Sequence, residues 1–290
     1  MAFTQKLINV SFSLAAGAFS GGGNTAQITG LRVSALIEMN GAVSSGTMQL
    51  AIYGLPLQLM NQLSTVGTQL DQQGKNQVEV YAGDAESGMS LVYTGLIFNA
   101  YVDAQNMPDV CFRLTGSPSG GFHAANPVPP TSKAGPQDVS PMVKNLAGLM
   151  GLQFEDNGVN VKLTNPYYPG SAWEQAVKIA RHANIHLFVE RGTLAISPIG
   201  KPRPGNVVIS RETGMVAYPA FRDAAIIVRA LFNPAVSVGS SMTVQSDLTP
   251  ANGNWLIKKI VYELESKMPK GRWFMTLEGV PQKGDTDPAS

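Results

Sequence analysis

The chain opens on an alternation. Ile8, Val10, Phe12 and Leu14 are apolar, and Asn9, Ser11 and Ser13 between them are polar. A period of two marks a strand with one covered face. It also distinguishes the segment from a signal peptide, whose apolar core is continuous. Further strand patterns fall at about 31–39, 47–53, 77–82, 89–105 and 110–115, with Asn40-Gly41 as a turn signal between the first two. Gly17 to Asn24 reads as a flexible loop. From Leu55 to Val66 the period lengthens. Leu59, Met60 and Leu63 recur at helical spacing, and Pro56 suits a first helical turn.

The middle of the chain changes character. Residues 116–137 are rich in Gly, Pro and Ser and have no period, so they read as a linker in which Phe122 is the only large apolar anchor. Met142, Val143, Leu146, Leu149 and Met150 then recur at helical spacing. Ser140-Pro141 reads as the N-cap and first helical residue, and Gly151 as the stop. Ser171 and Glu174 form a capping-box pattern, and the helix they start should bury Trp173, Ala176, Val177 and Ala180. Asn157-Gly158, between 152–156 and 159–163, predicts one hairpin. Arg191-Gly192, between 185–190 and 193–198, predicts a second.

The C-terminal block returns to strands. Ala224 to Phe232 is apolar except for Arg229, which predicts a strand covered on both faces. Asn233-Pro234 stops it, because Pro has no N–H for a ladder. Gly239 supports a turn before Met242-Thr243-Val244-Gln245. Leu256, Ile260, Tyr262 and Leu264 share a face, with Lys258 as the exception, and Trp273, Met275 and Leu277 alternate with polar neighbours. The resulting expectation is a mainly β protein with an α+β insert. Its parts are a first β domain over 1–115, the linker 116–137, the insert 138–204, a second β domain over 205–282, and a polar tail 283–290.

Composition narrows the function. A chain of 290 residues has room for two or three cores. Charged residues make up 14%, against about 25% for an average soluble domain. So little charge suggests that much of the surface is buried in an assembly. A net charge of +1 gives no electrostatic reason to expect nucleic acid or an acidic membrane as a ligand. No apolar run approaches the roughly 18 residues of a membrane helix, so neither insertion nor export is expected, and synthesis should be cytoplasmic. Cys111 is the only cysteine; its apolar neighbours predict a buried thiol.

Candidate chemistry fails position by position. His182 and His186 are four apart, but HANIH lacks the Glu of a zincin and straddles the expected end of a helix. Gly17 to Asn24 lacks the Lys-Ser/Thr that closes a phosphate loop. Gly116 to Gly120 carries Pro118 where a nucleophile elbow carries Ser. Glu155 and Asp156 adjoin a turn, and Glu174 belongs to a cap. No catalytic residue, metal or cofactor is therefore expected, and the chain should not be an enzyme. Tyr167 and Tyr168, between Pro166 and Pro169, form a stiff aromatic corner. It could anchor a partner or serve as a local lid. With Phe122, these tyrosines are the candidate partner contacts.

The C-terminal block resembles one family. A strand running into Asn233-Pro234, a Gly239 turn, the strand after Gly253 and an aromatic strand with Trp273 are similar to the baseplate hub proteins of contractile-tailed bacteriophages. The resemblance extends in order over most of the chain. It implies two related β-barrel, tube-like domains flanking a variable insert. It further implies a homotrimer in the virion baseplate, joining a six-fold tail tube to a three-fold tail spike beside other baseplate proteins, with DNA only as a passenger through the channel. The alternatives are a tail-associated peptidoglycan hydrolase and a carbohydrate-binding or adhesin module.

Overall fold

A computed structural model of the chain describes residues 4–41, 46–67, 75–105, 107–118 and 127–282. The fold is mainly β, with three α-helices among the described residues. The N-terminal part comprises β1 (Lys6–Ser13), β2 (Thr25–Ile28), β3 (Arg32–Asn40), β4 (Thr47–Tyr53), α1 (Leu57–Leu63), β5 (Gln77–Asp84), β6 (Gly88–Asp103) and β7 (Cys111–Ser117). The insert follows as β8 (Thr131–Ser132), β9 (Pro136–Asp138), α2 (Val139–Leu149), β10 (Gln153–Asp156), β11 (Lys162–Thr164), β12 (Tyr167–Tyr168), α3 (Ala172–His182), β13 (Ile185–Glu190) and β14 (Thr193–Pro198). The C-terminal part holds β15 (Arg203–Ile209), β16 (Ala220–Arg222), β17 (Ala225–Leu231), β18 (Ser240–Val244), β19 (Gly253–Ser266) and β20 (Trp273–Pro281). Two compact units result. One comprises 1–38, 46–121 and 261–275; the other comprises 39–45, 122–260 and 276–290.

Alternation produces the first core. Ile8, Val10 and Phe12 of β1 are buried, as are Val33 and Ile37 of β3, Val78 and Val80 of β5, and Phe112 and Leu114 of β7. Within each strand they are separated by an odd number of residues, so they point to one face. The N-terminal strands neighbour one another in the order β3-β4-β7-β6-β5-β1-β2. The C-terminal strands follow β16-β17-β20-β19, with β18 beside β19 and β15 beside β18. Paired in chain order, the two sets have the same succession: β3, β4, β7, β6, β5, β1 against β16, β17, β20, β19, β18, β15. One polarity differs, because β1 is antiparallel to β5 whereas β15 is parallel to β18. Among the described residues neither set closes into a barrel; the order ends at β2 in one and at β16 and β15 in the other.

Several local expectations shift. Helix α1 spans only Leu57–Leu63, with Pro56 as its N-cap. The chain leaves the helix because Thr65 pairs with β6: its N–H donates to the Ala100 carbonyl at 3.0 Å, and its Oγ1 accepts from the Ala100 N–H at 2.8 Å. The 17–24 loop is not featureless. It buries Phe19, whose N–H bonds to Gly23, and leads into β2. In the segment read as a linker, β8 and β9 pair with β12 and β11. Strand β17 is not covered on both faces. Ile226, Val228 and Ala230 are buried, but Ala225, Ile227 and Arg229 are half-buried and Leu231 is exposed.

The insert has its own core. Val139, Met142, Val143 and Leu146 of α2 meet Trp173, Ala176 and Ile179 of α3 over Leu187, Leu194 and Ile196. Helix α3 starts at the Ser171–Glu174 capping box, with both reciprocal bonds present. Helix α2 starts at Val139, two residues before the expected first helical residue Pro141. Asp138 is its N-cap, and the Val139 N–H is satisfied by the Val161 carbonyl of a neighbouring segment at 3.0 Å. Pro141 still lies in the first turn, where its missing N–H costs nothing. Leu149, expected inside, is exposed.

The Arg191-Gly192 hairpin forms. Arg191 and Gly192 have φ of 49° and 77°, and Glu190 faces Thr193. The Asn157-Gly158 hairpin does not. Asp156 Oδ1 accepts from the Gly158 and Val159 N–H groups at 3.0 and 2.9 Å, which turns the chain away. β10 instead runs parallel to β14, and β11 pairs with β9.

Candidate partner surfaces and the arginine centre

The two tyrosines of the aromatic corner part company. Tyr167 is 64% exposed, and Tyr168 is buried. They are consecutive in β12, and neighbours in a strand point to opposite faces. The Tyr168 hydroxyl lies 2.9 Å from His182 Nδ1 at the end of α3, and the ring belongs to the insert core. Burial pushes its phenol above the ordinary range. Tyr168 therefore acts as the local lid, and Tyr167 is the residue presented outward. Phe122 lies outside the described residues.

His186 is half-buried in β13, facing Ser197, and its pKa is lowered by burial and by the nearby Lys258 charge. It does not meet His182, which is engaged with Tyr168. No group of three or more His, Cys, Asp or Glu suited to a metal occurs among the described residues. Cys111 is buried, and burial raises its thiol pKa, so it has the character of a packed side chain and not of a nucleophile. No helix among the described residues is long and apolar enough to cross a membrane.

Arg203, at the start of β15, is a heavily bonded charged group. Its Nε and Nη2 donate to the two Glu155 carboxylate oxygens at 2.9 and 2.8 Å. Nη1 donates to Glu190 Oε2 at 3.0 Å and to the Val238 carbonyl at 2.9 Å. The fork of one guanidinium thus ties β10, β13 and the 234–239 loop together, a geometry lysine cannot reproduce. Arg191 adds a second tie, donating to the Pro234 and Val236 carbonyls at 2.9 and 2.8 Å. Burial would lower the Arg203 pKa, but the two carboxylates outweigh it and the net shift is upward. The Arg203 guanidinium in turn holds the Glu155 carboxyl below its ordinary range. Glu190 moves the other way, because burial outweighs the two arginines.

Gly239 makes this junction possible. Its φ is +84°, and a Cβ there would fall 2.7 Å from the Phe188 ring and 3.0 Å from Arg203 Cδ. The sequence signal for the junction was slight. Gly239 stood out as a turn residue, but nothing in the spacing of Glu155, Glu190 and Arg203 links them.

A second feature is a surface cavity of about 1110 Å³. Arg211, Met215, Tyr218, Val244, Asp247 and Asn252 are among its lining residues. Val216 and Tyr218 are exposed at it, by 47% and 70%. Mixed walls and a protruding aromatic suit a protein contact, and Glu212, which also lines the cavity, accepts from the Ser210 hydroxyl at 2.8 Å.

This fold recurs in tail proteins. The chain is similar to a tail protein from Neisseria meningitidis MC58, with a TM-score of 0.62 at 13% identity over 94% of this chain and 96% of that one. It is similar to the 43 kDa tail protein of prophage MuSo2 from Shewanella oneidensis, with a TM-score of 0.58 at 10% identity over 97% of both chains. It is also similar to an E. coli component of the type VI secretion system, itself described as structurally similar to the T4 bacteriophage tail proteins gp27 and gp5. That likeness has a TM-score of 0.56 at 10% identity over 87% and 74% of the two chains. The fold is therefore that of phage-tail proteins.

Sequence then supplies the family. Residues 7–279 match the model of the baseplate hub gp41 family, and the chain belongs to that family. It is a structural component of the phage tail baseplate and not an enzyme. No curated protein matches it significantly.

Proposed function

We propose that the chain forms the central hub of the baseplate as a homotrimer around a channel. In this reading one face meets the six-fold tail tube and the other the three-fold spike, and DNA passes through as a passenger. The observation that carries the reading is the repeated strand order, β3-β4-β7-β6-β5-β1 and β16-β17-β20-β19-β18-β15. Two similar β blocks per chain, taken three times, give six quasi-equivalent units. Such a ring satisfies six-fold and three-fold neighbours together, and cyclic closure avoids runaway assembly. We assign the blocks to domains over 1–115 and 205–282, with the insert 138–204 between them. Open sheet edges at β2, β15 and β16 would be covered by neighbouring chains, which completes the barrels and protects strands that would otherwise aggregate. The low charge of the chain, 14%, accords with buried subunit faces. Tyr167 and the rim of the large cavity are the contacts we assign to other baseplate proteins.

Electron cryo-microscopy of assembled tails tests the reading. Three copies in one ring between tube and spike are expected. Six copies, one copy, or density for this chain away from the tail axis would overturn it.

A further inference from the structure

Arg32, at the start of β3, is a cation without a counter-charge among the described residues. It faces Tyr53 across the β3–β4 ladder, and its Cζ stacks 4.2 Å from the Tyr53 ring centroid. Tyr53 in turn faces Cys111 on β7, and Cys111 faces Asp103 on β6. The carboxylate at the far end of this row, Asp103, is three strand spacings away, out of reach of Arg32, and pairs with Arg113. Among the described residues no carboxylate lies within ion-pair distance of Arg32, and its buried Nε has no acceptor. Beside it opens a cavity of about 290 Å³ whose walls include Leu55, Met60 and Val110. Asp109 also lines this cavity, but it is exposed and makes no ion pair with Arg32.

We propose that this cavity is a receptor for one carboxylate side chain, a glutamate carried by a partner polypeptide. Three features select that occupant. The charge to be met is a single guanidinium over the Tyr53 ring that lines the cavity, and a carboxylate can meet a guanidinium with two parallel bonds. The apolar walls suit the methylene stem that a glutamate brings behind its charge. The volume sits at the small end of ligand pockets, enough for a side chain and not for a nucleotide. A phosphate group is disfavoured, since its second negative charge would face Asp109 with no second cation to offset it. The carboxylate would supply the missing counter-charge, and a small adjustment of Arg32 toward it would give Nε an acceptor, removing the standing cost of an unsatisfied buried donor. The inference does not depend on the hub reading; it requires only a partner with an accessible glutamate.

The test uses the full chain labelled with ¹⁵N-arginine. N-acetyl-glutamate amide is titrated in, and the Arg32 Nε–Hε signal is followed. One ion pair supports an affinity of about millimolar order, so titration to about 50 mM reaches saturation. The expected result is a saturable shift of that signal, absent with N-acetyl-glutamine amide. Arg32→Gln should abolish binding while the other arginine signals stay in place, and Arg32→Lys should weaken it several-fold. Asp109→Asn should tighten it a few-fold by removing the repelling rim charge. The proposal is overturned by a shift that does not saturate, by an equal response to the glutamine compound, or by tighter binding of inorganic phosphate. It is also overturned if Asp109→Asn leaves the affinity unchanged or weakens it.

Discussion

Replacing Gly239 by alanine should unsettle the junction between the insert and the C-terminal strands. Two costs add. The backbone there has φ of +84°, and an L-residue in the left-handed region pays about 1–2 kcal/mol. The new methyl would also lie 2.7 and 2.8 Å from two Phe188 ring carbons, and overpacking of this kind costs about 1–3 kcal/mol. The backbone cannot easily retreat. The Gly239 N–H donates to the Ile257 carbonyl at 2.8 Å, and its own carbonyl accepts from the Arg203 N–H at 2.7 Å. The sum is about 2–5 kcal/mol, a large share of a typical domain stability of about 5–15 kcal/mol. At about 2–4 °C per kcal/mol, Tm should fall by about 5–20 °C. Gly151→Ala provides the control. Its φ of +70° carries the same backbone cost, but nothing lies within 4 Å of the added methyl. Urea unfolding of both variants, followed by tryptophan fluorescence and circular dichroism, should place Gly239→Ala about 1–3 kcal/mol below Gly151→Ala. Equal losses would refute the argument, because they would mean that Phe188 swings aside freely.

Arg203→Met should cost about 3–5 kcal/mol in urea unfolding, since it leaves Glu190 buried without its main partner; a loss under 1 kcal/mol would show the ionic centre to be dispensable. Acid should weaken the fold: Asp84, Asp103 and Glu155 have pKa values held down by Lys6, Arg113 and Arg203 respectively. Depressed carboxyls contribute fully above their unfolded pKa, near 4, and lose that contribution as pH falls through the folded value, so thermal scans from pH 6 down to about 2 should show a steady fall in Tm. Tyr168→Phe should lower stability by about 0.5–1.5 kcal/mol through loss of the His182 bond, whereas Tyr167→Ala should change it by less than about 0.5 kcal/mol and instead weaken incorporation of the chain into tails, read by immunoblot of purified particles.

What could be read from the sequence was whatever neighbouring residues decide among themselves. The Ser171–Glu174 box and the Arg191-Gly192 turn recur in the structure because their partners lie within a few positions, and the alternation of β1 and β20 recurs because the period of two belongs to the strand backbone itself. Tertiary partners decided the rest. Thr65 ended α1 early by bonding to β6, and the Val161 carbonyl accepted the Val139 N–H, so that α2 starts before the expected cap at Ser140. Asn157-Gly158 has hairpin chemistry, but the Asp156 carboxylate spent its bonds on the turn itself, and β14 offered β10 a parallel neighbour. Tyr167 and Tyr168 look alike on paper; only the position of His182 and the insert core distinguishes the exposed ring from the buried one. The Arg203 centre draws on residues 155, 190, 203 and 238, too far apart for any spacing rule. Arg32 could not be singled out at all, because whether a carboxylate lies within its reach depends on which strands flank β3.

The reversed polarity of β15 has a consequence for how such a protein can be rebuilt. No tight turn joins β15 to β18, so nothing local dictates the direction in which it is laid down, and sheets accept either direction at similar energy. The strand acts as a rail that can be entered from either end. Entry from the end near Arg203 places whatever precedes it beside Glu155 and Glu190. The covalent connection just before it, at Ile199 to Lys201, is therefore a natural place to cut. A nicked chain should stay together through its two arginine ties, and a different module grafted ahead of Arg203 would need two carboxylates for it, a donor in the place of Arg191 and an apolar ring in the place of Phe188.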